Sequence, residues 1–220
     1  TGIGASALAA NTTASNNTAV GYKSLAANTT ADGNTAVGRD ALLLSTTAEY
    51  NTVVGSYAGD AVTTGNYNAV LGAGALGANQ TGANNTAIGF EALKVNLAGN
   101  NTSIGYQSLL ANTTGTYNVA VGSYALDANT TANGNTAVGT YTLTDSTTGS
   151  NNVALGYASL ANSTTADNNT SLGYETLTQN TTGSNNVAVG YKALDANTTG
   201  TRHVALGANA LGAVTTTNDN

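Results

Sequence analysis

The 220-residue chain carries 5 basic against 11 acidic residues, a net charge of −6, and no Cys, Pro, Met or Trp. Such a chain presents no basic face to nucleic acid or an anionic membrane surface, and without thiols it has neither disulfides nor thiolate chemistry. Its hydrophobic fraction of 40% is inflated by Ala, so few bulky groups remain for a thick core.

Read in chain order, TGIGASAL (1–8) opens a phrase that then keeps returning. NTAVGYKSLAANTTADG (17–33) is followed by NTAVGRDALLLSTTAEY (34–50) and NTVVGSYAG (51–59). Anchored on the glycine of this phrase, the series runs Gly4, Gly21, Gly38, Gly55, Gly72, Gly89, Gly105, Gly122, Gly139, Gly156, Gly173, Gly190 and Gly207. The thirteen copies are 17 residues apart except for one 16-residue step, from Gly89 to Gly105. Comparing GANQTGANNTAIG (77–89) with KVNLAGNNTSIG (94–105) places the missing residue after Gly99, in a loop outside the structural ladder.

Each column has its own chemistry. A branched aliphatic precedes every anchor glycine, from Ile3 and Val20 to Leu206, and Leu follows four residues after it in every copy but one, where Gly59 stands. Two residues before the glycine only small residues or Val occur, and three after it only Ala, Ser or Thr. Thr-Ala-Val-Gly alternates with period two, which predicts a strand; a second short strand is expected through SLAANT, with turns of Gly and Asn between them. Gly, Asn and β-branched residues in every copy, with no 3.6-residue period, argue against helix. Strict retention of one aliphatic and one Leu per repeat argues against disorder.

The expected fold is therefore all-β: a parallel β-solenoid, or β-roll, of thirteen coils of about 17 residues, two short strands per coil, forming one continuous array over residues 1–220. At about 4.8 Å per coil the array would be a rod roughly 60 Å long. The aliphatics before the glycine and the Leu after it are expected to stack as two interior ladders. Asn four residues before the glycine (Asn17, Asn34, Asn51, Asn68 and on to Asn186) is expected to form a hydrogen-bonded ladder at a turn. The small-residue face is expected to be covered as well, by the coil's other wall or by another chain, with packing between chains favoured.

NTAVGYKSL, NTAIGFEAL, NTSIGYQSL and NVAVGYKAL resemble the head repeats of trimeric autotransporter adhesins (the YadA-like head) and related repeats of phage tail fibres and surface fibres. The resemblance spans the whole chain. It implies a left-handed parallel β-roll, often trimeric, serving adhesion or forming a fibre shaft. The 17-residue coil with its NTT insertion is longer than the usual coil of those heads.

No motif carries catalysis. GAGALG (72–77) matches a dinucleotide fingerprint at Gly72, Gly74 and Gly77, but no helix follows to receive the phosphates. His203, the single His, replaces the ladder Asn of the last copy and reads as a solvated turn residue beside Arg202. Asp32, Glu49 and Asp167 share a column too sparsely for acid–base pairs or a calcium ladder. No catalytic residue, cofactor or metal ligand is expected.

Two columns are candidate functional sites. Asn-x-Thr/Ser sequons at Asn11, Asn28, Asn79, Asn112, Asn129, Asn162, Asn180 and Asn197 read as turn residues or as a rail of N-glycans. Tyr22, Tyr106, Tyr157, Tyr174 and Tyr191 directly follow the anchor glycine; they read as stacked turns or as a surface that binds glycan or protein. Adjacent Thr pairs point to opposite faces of an extended chain and make poor ice-binding arrays.

The expected function is a structural, non-catalytic part of an extracellular fibre or filament: a surface filament, an adhesin or a tail-fibre shaft on a cell or virion. The alternative is an adhesive module that recognises carbohydrate or a host surface protein through its Tyr and Asn turns. The expected partner is the chain itself, as a homo-oligomer, a trimer or a head-to-tail filament. No nucleic acid is expected, and no apolar stretch is long enough for this segment to insert into a membrane. There is no initiating Met, no signal peptide is visible and neither end shows a polar cap, so the sequence reads as a segment of a longer fibre.

Overall fold

The computed structural model describes residues 1–219, which fall into two compact units, Thr1–Thr113 and Thr114–Asn220. Each unit is a parallel β-solenoid. In the first, β1 (Gly2–Ile3), β2 (Thr18–Val20), β3 (Thr35–Val37), β4 (Thr52–Val54), β5 (Ala69–Leu71), β6 (Thr86–Ile88) and β7 (Thr102–Ile104) pair in chain order. In the second the same holds for β8 (Val119–Val121), β9 (Thr136–Val138), β10 (Val153–Leu155), β11 (Thr170–Leu172), β12 (Val187–Val189) and β13 (Val204–Leu206). The register is one repeat throughout, as in Thr18↔Thr35 and Val153↔Thr170. No helix of the described residues is long and apolar enough to cross a membrane.

The anchor glycine makes this stacking possible. Its φ lies between 117° and 146° in every coil, a region that L side chains avoid. A Cβ on Gly21 would sit 2.5 Å from the carbonyl oxygen of Gly38, and one on Gly139 would sit 2.4 Å from that of Gly156. Coil-to-coil approach at this corner leaves no room for any side chain.

Each coil has one strand, not two. The SLAANT segment is a chain of turns, because residues two and four after the glycine hold left-handed φ: 52° at Lys23 and 51° at Leu25. Left-handed residues break an extended run, yet hydrogen bonding still passes between coils. Lys23 N–H donates to the Ala5 carbonyl at 2.9 Å and Leu25 N–H to that of Ala41 at 3.0 Å. Left-handed Leu costs about 1–2 kcal/mol per residue, which burial at the core position offsets.

The Leu column lies inside as expected. Leu25, Leu42, Leu76, Leu93 and Leu109 in the first unit, and Leu126, Leu143, Leu160, Leu177 and Leu194 in the second, have no exposed surface. The other interior ladder is different. The buried strand residue is the small one two before the glycine (Ala19, Ala36, Ser103, Ala137, Ser171), while the aliphatic before the glycine faces outward. Leu71 is 51% exposed and Leu155 48%. The strand alternates as expected but in the opposite phase: the wall beside the Leu column takes Ala or Ser in most coils, and Val only at Val53 and Val70, in the coil that carries Gly59 and the one after it.

The Asn column behaves as expected. Asn17 Oδ1 accepts the N–H of Asn34, and Asn34 Oδ1 that of Asn51. A second buried Asn column, seven after the glycine, joins it. The Ala31 carbonyl accepts from both Asn17 Nδ2 (2.8 Å) and Asn28 Nδ2 (3.1 Å), and the Gly183 carbonyl from both Asn169 and Asn180 (2.9 Å each). Where the second column is Asn, the two side-chain ladders thus converge on one carbonyl; where it is Ser, as at Ser45 or Ser146, the first ladder alone supplies the bond.

The 16-residue coil loses its residue before Ala98, not after Gly99. Asn85 Nδ2 donates to the Ala98 carbonyl just as Asn68 Nδ2 donates to that of Gly82, so Ala98 and Gly82 are equivalent. The deleted position belongs to the second Thr of the NTT corner. There, two successive N–H groups converge on one carbonyl, as Thr12 and Thr13 do on Thr29. One of them can go without orphaning an acceptor.

Gly59, which replaces the core Leu in one coil, is compensated within that coil. A Cβ there would lie 3.5 Å from Val62 Cγ2 and 3.7 Å from Val53 Cγ1, and these Val residues stand where most coils place Asn or Ser and Ala or Ser. Gly59→Leu alone is expected to overpack and lose about 1–3 kcal/mol in urea unfolding, whereas adding Val53→Ala and Val62→Asn recovers that loss. Purely additive effects would contradict the coupling. Leu160→Ala should cost about 2–5 kcal/mol and Leu160→Asp more; an Asp variant as stable as the parent would show that the column is not core.

Candidate functional surfaces

With the interior committed to Leu, small residues and Asn, variable side chains are confined to the corners and the outer sheet face. The first of these surfaces is aromatic. Tyr22, Tyr106, Tyr157, Tyr174 and Tyr191 are all 43–51% exposed. They are brought together only in part. Tyr157, Tyr174 and Tyr191 stack in consecutive coils at 5.3 and 5.6 Å, whereas Tyr106 stacks on Phe90 at 5.5 Å.

The stripe extends beyond those five residues. Tyr124 and Tyr141, one position later in their coils, stack at 5.4 Å, and Tyr141 meets Tyr157 edge-on at 6.0 Å. The spacing of coils sets this contact, since in-register neighbours arrive at stacking distance without adjustment. Where a ring is missing a cation substitutes: the Arg39 guanidinium lies 6.0 Å from the Tyr22 ring and 5.2 Å from that of Tyr57. Lys192 bridges to Glu175 at 3.1 Å, which holds the Glu175 carboxyl below its usual range and raises the ammonium.

The sequon column is largely inaccessible. Asn28, Asn79, Asn112, Asn129, Asn180 and Asn197 are wholly buried. Nδ2, the atom a glycan would occupy, donates inside the wall: Asn197 Nδ2 to Asn180 Oδ1 at 2.9 Å, Asn79 Nδ2 to Gly82 O at 3.2 Å. The glycan rail therefore fails at these six positions, and only Asn11 and Asn162 keep partial exposure. Six further sequons lie outside that column: Asn16, Asn84, Asn100 and Asn168 are exposed left-handed corner residues, whereas Asn101 and Asn169 are buried in the ladder.

His203 is buried, not solvated. Its N–H donates to Asn186 Oδ1 at 3.0 Å, and its ring Nε2 lies 2.7 Å from the Thr217 carbonyl. It thus holds the ladder position of Asn, its Nε2 standing in for the amide nitrogen, and a carbonyl partner requires that nitrogen to carry the proton. Asp32 and Asp167 tie corners together by accepting the N–H groups of Ser15 (2.5 Å) and Ser150 (2.6 Å). The GAGALG segment carries no helix, only the bend and turns that follow β5. Among the described residues no group of three His, Cys, Asp or Glu is placed to hold a metal ion.

The remaining surface is the outer face of each sheet. Residues three before and one before the anchor glycine line it, and across both units these columns hold Thr, Val, Ile, Leu and Ala with no charged side chain. Ile88 is 36% exposed and Val153 40%. No family model, curated protein or solved structure matches the chain.

One acidic corner is electrostatically strained. Burial, joined by the like charge of Asp145, outweighs the relief from backbone hydrogen bonds and pushes the Asp127 carboxyl up to about 6, and Asp127 Oδ1 is buried without a hydrogen-bond partner. A carboxyl raised in the folded state binds more protons than the unfolded chain between about pH 4 and pH 6, so its contribution falls as pH rises through that window and is flat above it. Asp127→Asn is expected to gain about 1 kcal/mol at pH 7, after allowing for solvent screening, and little at pH 4. Urea midpoints at the two pH values check this; an equal gain at both would contradict it.

Proposed function

We propose that the chain is a structural, non-catalytic element of an extracellular fibre or filament, associated with further copies of itself along the outer sheet face. The observation that carries this reading is the outward phase of the aliphatic column. Coil after coil turns a Val, Ile or Leu outward while keeping a smaller Ala or Ser inside, as Leu155 and Ala154 do, and only the coils of Val53 and Val70 bury a Val there. A contiguous, charge-free strip with an aliphatic in every coil, flanked by Thr, Val or Ala, marks an interaction surface. The coils of each unit hold it in register.

The dimensions of the strip favour a fibre. Two columns about 7 Å apart, repeated every 4.8 Å, present roughly 30 Å² of projected face per coil. A standard interface covers about 800 Å² a side. So narrow a strip associates firmly only when many coils engage together, which suits long parallel chains better than small globular dimers. Extracellular placement rests on the resemblance of the repeats to adhesin and tail-fibre repeats.

Sedimentation of the purified chain tests the reading. The parent is expected to sediment as an oligomer whose chain number the experiment supplies. Leu155→Lys with Val187→Lys is expected to sediment as monomer with its circular dichroism unchanged, since both side chains are exposed. A parent that stays monomeric at every concentration would overturn assembly through this face.

A further inference from the structure

One rung of the corner stripe is missing in a way that leaves a built hole. The Tyr57 ring has the Arg39 guanidinium 5.2 Å from its centroid, and the next coil offers Gly74 where a ring would stand. In the second unit the equivalent step is filled, with Tyr124 and Tyr141 stacked at 5.4 Å and 5°. A second column, five after the anchor glycine, loses its side chain in the same coil: Asp60, then Gly77, then Lys94. Both deletions lie in GAGALG, whose glycines serve neither as a phosphate loop nor as core.

The result is a cavity of about 340 Å³ lined by Tyr57, Asp60, Gly74, Gly77 and Lys94, adjoined by another of about 340 Å³ that reaches Glu91. Its floor is backbone. A Cβ on Gly74 would meet only Glu91 Cγ within 4 Å, at 3.6 Å, and one on Gly77 would lie 3.6 Å from Asp60 Oδ1. Tyr57 and Glu91 are two coils apart, about 9.6 Å along the stack, which admits one ring of stacking thickness against Tyr57.

The rim decides which ring. Asp60 supplies acceptors over Gly77. Glu91 is kept ionised by Lys94 Nζ, which donates to it at 2.5 Å, and by Gln107 Nε2 at 2.8 Å. Lys94 keeps two further N–H donors for a guest. A purely aromatic guest would fill the slot but offer nothing to the remaining acceptor capacity of Asp60 or to the two Lys94 donors that Glu91 leaves over. Two carboxylates against one ammonium disfavour an anionic guest. A pyranose has what the rim asks for: an apolar ring face and a perimeter of hydroxyls that both donate and accept.

We infer that the notch between Tyr57 and Glu91 binds one uncharged pyranose ring, stacked on Tyr57, donating a hydroxyl to Asp60 and accepting from Lys94. The site lies within one unit and needs no second chain, so it stands or falls separately from the fibre reading.

Saturation-transfer NMR with the methyl glycosides of glucose, galactose, mannose and N-acetylglucosamine at millimolar concentration tests it. At least one glycoside is expected to receive saturation from the parent chain, to bind about tenfold or more weakly to Tyr57→Ala, and to lose its signal with Gly74→Tyr. The last variant inserts the missing ring and is expected to fold, because Tyr57, Tyr124 and Tyr141 hold φ of 56–57° in that column and Gly74 has φ 65°; circular dichroism checks it. Saturation of none of the glycosides, or saturation that survives in Gly74→Tyr, overturns the assignment. Binding of p-cresol in place of every glycoside also overturns it, in favour of an aromatic guest.

Discussion

The close passage of one anchor glycine over the next is the constraint on which the structure depends. Within each unit, carbonyl oxygens lie 2.2–2.6 Å from where the Cβ of the stacked glycine would be, so these corners admit no side chain and each coil is locked to the next at the same height. Once that corner is pinned, a one-repeat register follows for every other column. Asn then meets Asn, Leu meets Leu, and Tyr meets Tyr at ring-stacking distance. The ladders are consequences of the glycine contact, and they repay it with hydrogen bonds and burial in each coil.

How much of this was legible depended on whether a column's chemistry named its direction. Leu four after the glycine and Asn four before it pointed inward unambiguously, since a lone large apolar group and a stackable amide each have one good place in a thin coil. The strand was legible as a strand, but its phase was not. Thr-Ala-Val offers either Ala or Val to the core, and ranking by hydrophobicity selects Val. Volume decides otherwise: beside the Leu column the inner strand position is Ala or Ser in most coils, and Val stands there only at Val53 and Val70, in the coil of Gly59 and the one after it. The second strand was misread because β-compatible composition says nothing of the left-handed φ at Lys23 and Leu25. The sequons misled for a related reason: Asn28 and Asn197 are turn-type residues whose amides face the interior.

The candidate sites were legible as columns and not as constellations. Period alone located Tyr157, Tyr174 and Tyr191, but it could not reveal that Arg39 completes the stripe at Tyr57 or that Gly74 interrupts it. His203 shows the converse: a residue whose type suggested a solvated corner is absorbed by the ladder because one ring nitrogen reaches the carbonyl an amide would have reached. In a solenoid, individuality resides where a single coil departs from consensus. Such a departure alters the surface locally while the backbone bonds above and below it persist.

The direction of the hydrogen bonds has a mechanical consequence. Within each unit the bonds that join β2 to β3, or β9 to β10, run along the stacking axis, with no element lying across it. Tension applied along that axis therefore loads one intercoil interface at a time instead of shearing a whole ladder at once. Each coil that peels away releases roughly 50 Å of slack chain, and the remaining coils keep their registration. Such a unit yields in small successive steps and dissipates work, so under load it behaves as an extensible damper rather than a stiff strut.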